Sequence, residues 1–176
     1  GKDDKKTAKE FEDTIDLLGD YAPGSNPSRY VETKTEEIVI YDFEDVEANV
    51  VKDMSENAYD ATLNNVEVVE ENGNKVLALN GAGYMSLPFE VKGLNYTVGF
   101  DLTLIENPVA NAVLFNGEAA DGTFYLNYEG KKETAFVRKD YVFKFDFNFE
   151  KGKTYKVVLT SDTNDTILYV NGVLVS

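Results

Sequence analysis

The chain has 176 residues, enough for one substantial core with a small appendage, and carries 32 Asp and Glu against 17 Lys and Arg for a net charge of −15. That field repels a nucleic-acid backbone and an anionic membrane, and the closest basic pairs, Lys5/Lys6, Lys131/Lys132 and Arg138/Lys139, read as solvated faces. Cys and His are both absent, which excludes disulfides, thiolate nucleophiles, Cys/His zinc sites and every imidazole triad while leaving oxygen-ligand metals and carboxylate chemistry.

The first predicted element is a helix. Thr7 and Glu10 have capping-box spacing, Ala8, Phe11, Ile15 and Leu18 form one apolar stripe, and Gly19 offers a stop. The Pro- and Ser-rich run over 21–30 reads as a connector. This places a division at 37/38. Residues 1–37 are expected to be the tail of an upstream domain, the other reading being a helix docked on a sheet edge, and 38–176 form the body. No apolar run approaches the roughly 20 residues of a membrane helix. The lysine-rich start lacks the apolar stretch of a signal peptide, so an export signal is expected to belong to a longer precursor.

From Ile38 the pattern is all β. IVIYDFE (38–44) reads as the first strand, and VEVV (66–69) and VLAL (76–79) flank Asn72-Gly73 as a hairpin. Tyr84 to Phe89 is a short strand edged by Pro88, and Tyr96 to Ile105 alternates over a full strand. Segments at 113–115, 123–128 and 134–137 follow. The closing run from Tyr141 to Gly172 gives three more, with Asn171-Gly172 as a further hairpin turn. GAG at 81–83 opens no helix and reads as a tight turn rather than a phosphate cradle. Short strands at this spacing predict a jelly-roll β sandwich of two antiparallel sheets with a short N-terminal helix.

The stretches YDFEDVEANVVKDMSENAYDATL, KVLALNGAGYMSLPF, YTVGFDLTL and TILYVNGVLV resemble the concanavalin A-like, laminin-G-like jelly-roll modules of bacterial surface proteins and glycoside hydrolases. The closing run together with a preceding helix looks like the region after the catalytic barrel in family 20 enzymes, β-N-acetylhexosaminidases and lacto-N-biosidases. The resemblance implies a non-catalytic accessory module of a secreted or cell-surface glycoside hydrolase. Its partners would be the catalytic domain of the same polypeptide and glycans, with neither nucleic acid nor membrane insertion. An independent carbohydrate-binding module and a structural adhesion module are the alternatives. Such modules usually continue beyond the YVNG hairpin, so the sandwich is expected to be incomplete at its C-terminal end.

Three sets of residues are candidates for chemistry. Tyr125, Asn127, Tyr128, Arg138 and Tyr141 could stack on and hydrogen-bond a sugar, against the plainer reading of the tyrosines as packing residues; alternation sets Tyr125 with Asn127 and Tyr128 with Phe124 and Leu126. Asp53, Asn57 and Asp60 supply the closely spaced oxygens of a calcium site, although Asp and Asn also cap turns with no ion. Asp101 and Asp146 could share a face as a glycosidase pair if their strands adjoin, yet no E-x-D-x-E motif accompanies them. No catalytic residue or organic cofactor is assigned.

Overall fold

A computed structural model of the protein describes residues 39–89, 95–117, 122–139 and 141–175. The helix and connector expected over 1–37 lie outside the described residues. Within them the fold is all β, with one 3-10 turn and antiparallel pairing throughout. No described helix is long and apolar enough to cross a membrane. The strands fall into two compact units, one within Thr33–Glu90 and one within Val91–Ser176, and each has its own core.

The first unit contains β1 (Val46–Glu47), β2 (Val50–Val51), β3 (Ala61–Asn64), β4 (Glu67–Glu71), β5 (Asn74–Ala78) and β6 (Tyr84–Ser86). β1, β2, β3 and β6 form a sheet in that order, and β4 and β5 pair as a hairpin. Period-two alternation turns Val51, Ala61 and Leu63 to one side, where they pack with Val66 and are flanked by Tyr41, Phe43, Val68, Leu77 and Met85. Asn72 and Gly73 both sit at positive φ, 53° and 81°, the backbone that a two-residue type I′ turn demands and the reason Asn-Gly stands there. β6 then runs so close to the preceding chain that a Cβ on Gly83 would overlap the carbonyl oxygens of Asn64 and Asn65.

One expected strand does not form. Residues 39–45 carry no strand, because Ile40 N donates to the Asp53 carboxylate (2.8 Å), Ile40 O accepts from Met54 N (2.7 Å), and Phe43 turns the chain at φ 63°. The segment is fastened by the Asp53 side chain and isolated backbone bonds instead of a continuous ladder, while Tyr41 and Phe43 still reach the core.

The second unit contains β7 (Tyr96–Thr103), β8 (Ala112–Gly117), β9 (Gly122–Leu126), β10 (Thr134–Arg138), β11 (Tyr141–Phe145), β12 (Thr154–Ser161), β13 (Thr166–Val170) and β14 (Val173–Val175). They make two four-stranded sheets, β14-β13-β12-β7 and β11-β10-β9-β8. The chain leaves β7, completes the four-strand meander of the other sheet, and returns as β12 beside β7, paired over eight residues from Thr154↔Thr103 to Ser161↔Tyr96. Phe124, Leu126, Phe136 and Phe145 of one sheet pack with Leu102, Tyr155, Val157, Leu159, Leu168 and Val170 of the other, which is a sandwich-like arrangement. The alternation read in the closing run is what produces it: Phe143 and Phe145 turn inward and Lys144 outward. A bulge between Val113 and Phe115 adds a residue to β8 and lets both Leu114 and Phe115 pack on the core.

Candidate functional site

The residues proposed for sugar contact do not assemble into one site. Tyr125 lies on the outer face of β9, between core-facing Phe124 and Leu126. After it, Asn127 leaves the strand in the left-handed conformation at φ 49°, with Nδ2 donating to Pro108 O (3.0 Å) and Oδ1 accepting from Lys132 N (2.9 Å). The Tyr128–Gly130 3-10 turn then folds back, and the Tyr128 ring comes to 5.6 Å from that of Tyr125 at 48°. The alternation that would set Tyr128 with Phe124 is cancelled by the left-handed residue between them. Asn127 is thereby consumed as scaffold, and the two half-buried tyrosines form a pair on the outer face.

Arg138 and Tyr141 lie elsewhere. They pair across β10 and β11 and, by alternation, share the inward face of that sheet with Phe136 and Phe143. The guanidinium of Arg138, buried at 8% exposure, donates to Thr166 Oγ1 (3.0 Å), Asp165 O (3.2 Å), Ser161 Oγ (3.3 Å) and Thr163 O (3.4 Å), and lies 5.4 Å over the Phe143 ring. It ties the β12–β13 hairpin of one sheet to β10 of the other. Tyr141 is 63% exposed and its ring stands 4.6 Å from that of Phe143. Nearby, a shallow groove of about 320 Å³ is lined by residues of β11, β13 and β14 and by Asp165, β11 and β14 being edge strands of the two sheets among the described residues.

Asp53, proposed as a calcium ligand, is a buried anchor. Its Oδ1 accepts from Ile40 N (2.8 Å) and Ser55 N (2.9 Å), and its Oδ2 from Ser55 Oγ (2.7 Å) and Tyr59 N (2.9 Å). A carboxylate offers about four lone-pair sites, and four donors fill them, so this donor set does not fit a calcium ligand. Asp60 Oδ1 accepts from Asp53 N (3.0 Å), and Asn57 N donates to Ser55 Oγ (3.2 Å). Among the described residues no three metal-ligating side chains of the Asp, Glu, His or Cys type come together. Burial alone would raise the Asp53 pKa, but the hydrogen bonds from Ile40, Ser55 and Tyr59 outweigh it and hold the carboxyl below the ordinary aspartate value. Tyr41, donating to Tyr59 O (2.5 Å), is pushed the other way by its own burial and by the charges of Asp53 and Asp60.

The carboxylates weighed as a glycosidase pair are separated by the sandwich. Asp101 points outward from β7 between Phe100 and Leu102, whereas Asp146 is exposed at the turn just past the end of β11 in the other sheet, where Phe147 N donates to Phe145 O. Packed sheets stand about 10 Å apart before the outward side chains are added, well beyond the roughly 5 Å of a retaining pair.

No family model matches the chain, and neither a curated protein nor a solved structure matches it. What the fold shares with concanavalin A-like modules is the generic arrangement, antiparallel sheets packed as a sandwich.

Two residues that the sequence reading passed over join the picture. Tyr84, 61% exposed, stands on β6 opposite Asn64 of β3, whose Nδ2 donates to Ser86 Oγ (3.3 Å); the alternation of Tyr84, Met85 and Ser86 about the core-facing methionine was the available signal. Lys144 shares the outer face with Tyr125 through the register Tyr125↔Ala135↔Lys144. The alternation of YVFKF showed its direction, but its neighbours follow only from strand pairing.

Proposed function

We propose that the chain is a non-catalytic accessory module of the concanavalin A-like jelly-roll kind, carried by a secreted or surface glycoside hydrolase, and that it holds a carbohydrate weakly on the outer face of β8–β11. The observation that carries the binding reading is the Tyr125–Tyr128 pair: two half-exposed rings 5.6 Å apart, fixed by a side-chain-braced turn rather than left on a mobile tip. Rigid aromatic faces of this kind bind pyranose rings through their apolar C–H faces at little entropic cost. The enzyme context, including a parent acting on hexosamine or lacto-N-biose linkages, rests on the resemblance of the quoted stretches; the glycan face rests on the geometry.

Titration of the isotopically labelled chain with oligosaccharides, followed by NMR, tests this. Millimolar ligand is expected to shift amides of β9 and the 127–132 turn, and Tyr125→Ala is expected to weaken binding by roughly 0.5–1.5 kcal/mol, the worth of one lost aromatic contact. Absence of any shift across neutral and acidic glycans at millimolar concentration overturns the binding reading.

A further inference from the structure

The outer face of the β14-β13-β12-β7 sheet is buried where a sandwich would leave it wet. Period-two alternation sends Val157, Leu159, Leu168 and Val170 to the core and turns Val158, Thr160, Ile167 and Tyr169 the other way. Yet Val158 has no exposed surface, Tyr169 keeps 4% and Thr160 6%. These residues sit in two rows of the ladder, Gly99↔Val158↔Tyr169 and Thr97↔Thr160↔Ile167. The next row along, Asp101↔Lys156, is exposed. The cover therefore has an edge and lies over three strands at one end of the face.

Neighbours within the sheet do not account for it. Tyr125 stands on the outer face of the other sheet with Tyr128 beside it and still keeps exposed surface. Tyr169 is flanked across its ladder by Val158 and by Leu174, which is itself 50% exposed. Val158, Tyr169 and half-buried Ile167 form an apolar cluster separate from both cores, and among the described residues the buried and half-buried apolar side chains that meet there are these three. Gly99 leaves its place in the row without a side chain, the room that a close-packing neighbour needs.

The surface is lost within a single chain, so the cover belongs to that chain rather than to a second copy, which a net charge of −15 would also repel. Outside the described residues lie 1–38, 90–94, 118–121, 140 and 176. All but the first are too short to cover three strands. The first carries the apolar stripe of the predicted helix, Ala8, Phe11, Ile15 and Leu18. An α-helix rises about 15 Å from Ala8 to Leu18, and three strands span about 10 Å, so the stripe is long enough for the footprint. The connector from Gly19 to Ile38 can extend to roughly 65 Å, slack enough to leave the docking unconstrained.

We infer that residues 7–18 form a helix that docks its apolar stripe on the outer face of β7, β12 and β13, with Phe11 and Ile15 over Val158 and Tyr169. Of the two roles that the sequence leaves to residues 1–37 this is the docked one, on a sheet face rather than an edge. It makes the segment part of the sandwich unit and takes this face out of contention as a ligand surface. The glycan reading concerns the other sheet and does not depend on it.

A chain without cysteine takes a single spin label cleanly. A nitroxide attached through Asp13→Cys, on the polar side of the helix, is expected to broaden amides of 97–99, 158–160 and 167–169 more than those of β9 and β10 in the whole chain. A soluble paramagnetic agent is expected to spare the Val158 methyls and the Tyr169 ring, and to reach both in Phe11→Asp/Ile15→Asp with the sheet signal in circular dichroism retained. Should that variant unfold, Phe11→Ala is expected to expose them part-way. Wild-type Val158 and Tyr169 that the agent reaches freely would overturn the covered face. Protection that survives Phe11→Asp/Ile15→Asp, or a nitroxide that broadens other amides instead, overturns the helix as the cover. Broadening of equal size in a mixture of spin-labelled and isotope-labelled chains overturns docking within one chain. Glycan shifts at β9 are expected to be the same in Phe11→Ala as in the wild type, so the two readings fail separately.

Discussion

Asp53 shows how much one side chain can organise. Its four accepted hydrogen bonds gather Ile40, Ser55 and Tyr59 from three points of the chain around a carboxylate that is 2% exposed. Asp53→Asn replaces acceptors with an amide that faces donors, and leaving such groups unsatisfied costs about 2–3 kcal/mol; a lower urea midpoint for the transition reporting Tyr41 and Tyr59 checks this. Because the folded carboxyl titrates below its unfolded counterpart, its stabilisation is complete above the unfolded value near 3.8 and is lost as pH falls through the lower folded value. Hydrogen exchange at the Ile40 and Tyr59 amides should accelerate below that range in the wild type, and the pH dependence should vanish in Asp53→Asn. Arg138 is the counterpart in the sandwich unit. Arg138→Lys keeps the charge but cannot reach four neutral oxygens with one ammonium, and a loss of about 1–3 kcal/mol is expected in chemical denaturation.

The elements were readable to different degrees. β7 and β12 are the longest strands at eight residues each and β7 alternates cleanly in sequence, and the Asn-Gly pairs at 72–73 and 171–172 sit at positive φ where hairpin turns require them. The strand expected over 38–44 was misread because alternation there reflects packing of Tyr41 and Phe43 around a side-chain anchor, and a carboxylate acting from residue 53 leaves no local mark. The turn after β9 is similar. Nothing in YLNYEG announces that Asn127 is left-handed, since Asn tolerates that conformation without requiring it, and the position of Tyr128 depends on it. Asn127→Ala removes both braces, to Pro108 O and from Lys132 N. It is expected to cost about 1–2 kcal/mol of stability and to weaken glycan binding without removing a contacting ring. Retained fold by circular dichroism, with a disturbed Tyr128 ring signal in NMR, would identify Asn127 as a positioning residue.

At the level of the whole chain, a net charge of −15 on 176 residues is a standing repulsion. Adding salt from about 10 mM to about 500 mM should raise the urea midpoint at neutral pH as that repulsion is screened, and solubility should be lowest near the pI of 4.3. A midpoint that falls with salt would mean that attractive pairs dominate, contrary to the small worth of exposed ion pairs such as the four seen among the described residues. Composition and period-two patterning sufficed to establish an all-β body over the described residues and a chain without thiol or imidazole chemistry, because residue absence and strand alternation are both local properties of a sequence. Which residues share a face was settled by the tertiary fold: Asp101 faces outward from β7 while Asp146 lies past the end of β11 in the other sheet, Arg138 turned inward to staple two sheets, the turn after β9 brought Tyr128 to Tyr125, and Lys144 fell in the same outward row as Tyr125 two strands away. Register joins positions 19 residues apart in Tyr125 and Lys144, and a one-residue slip would send either to the other face, so that neighbourhood exists only once the chain has folded.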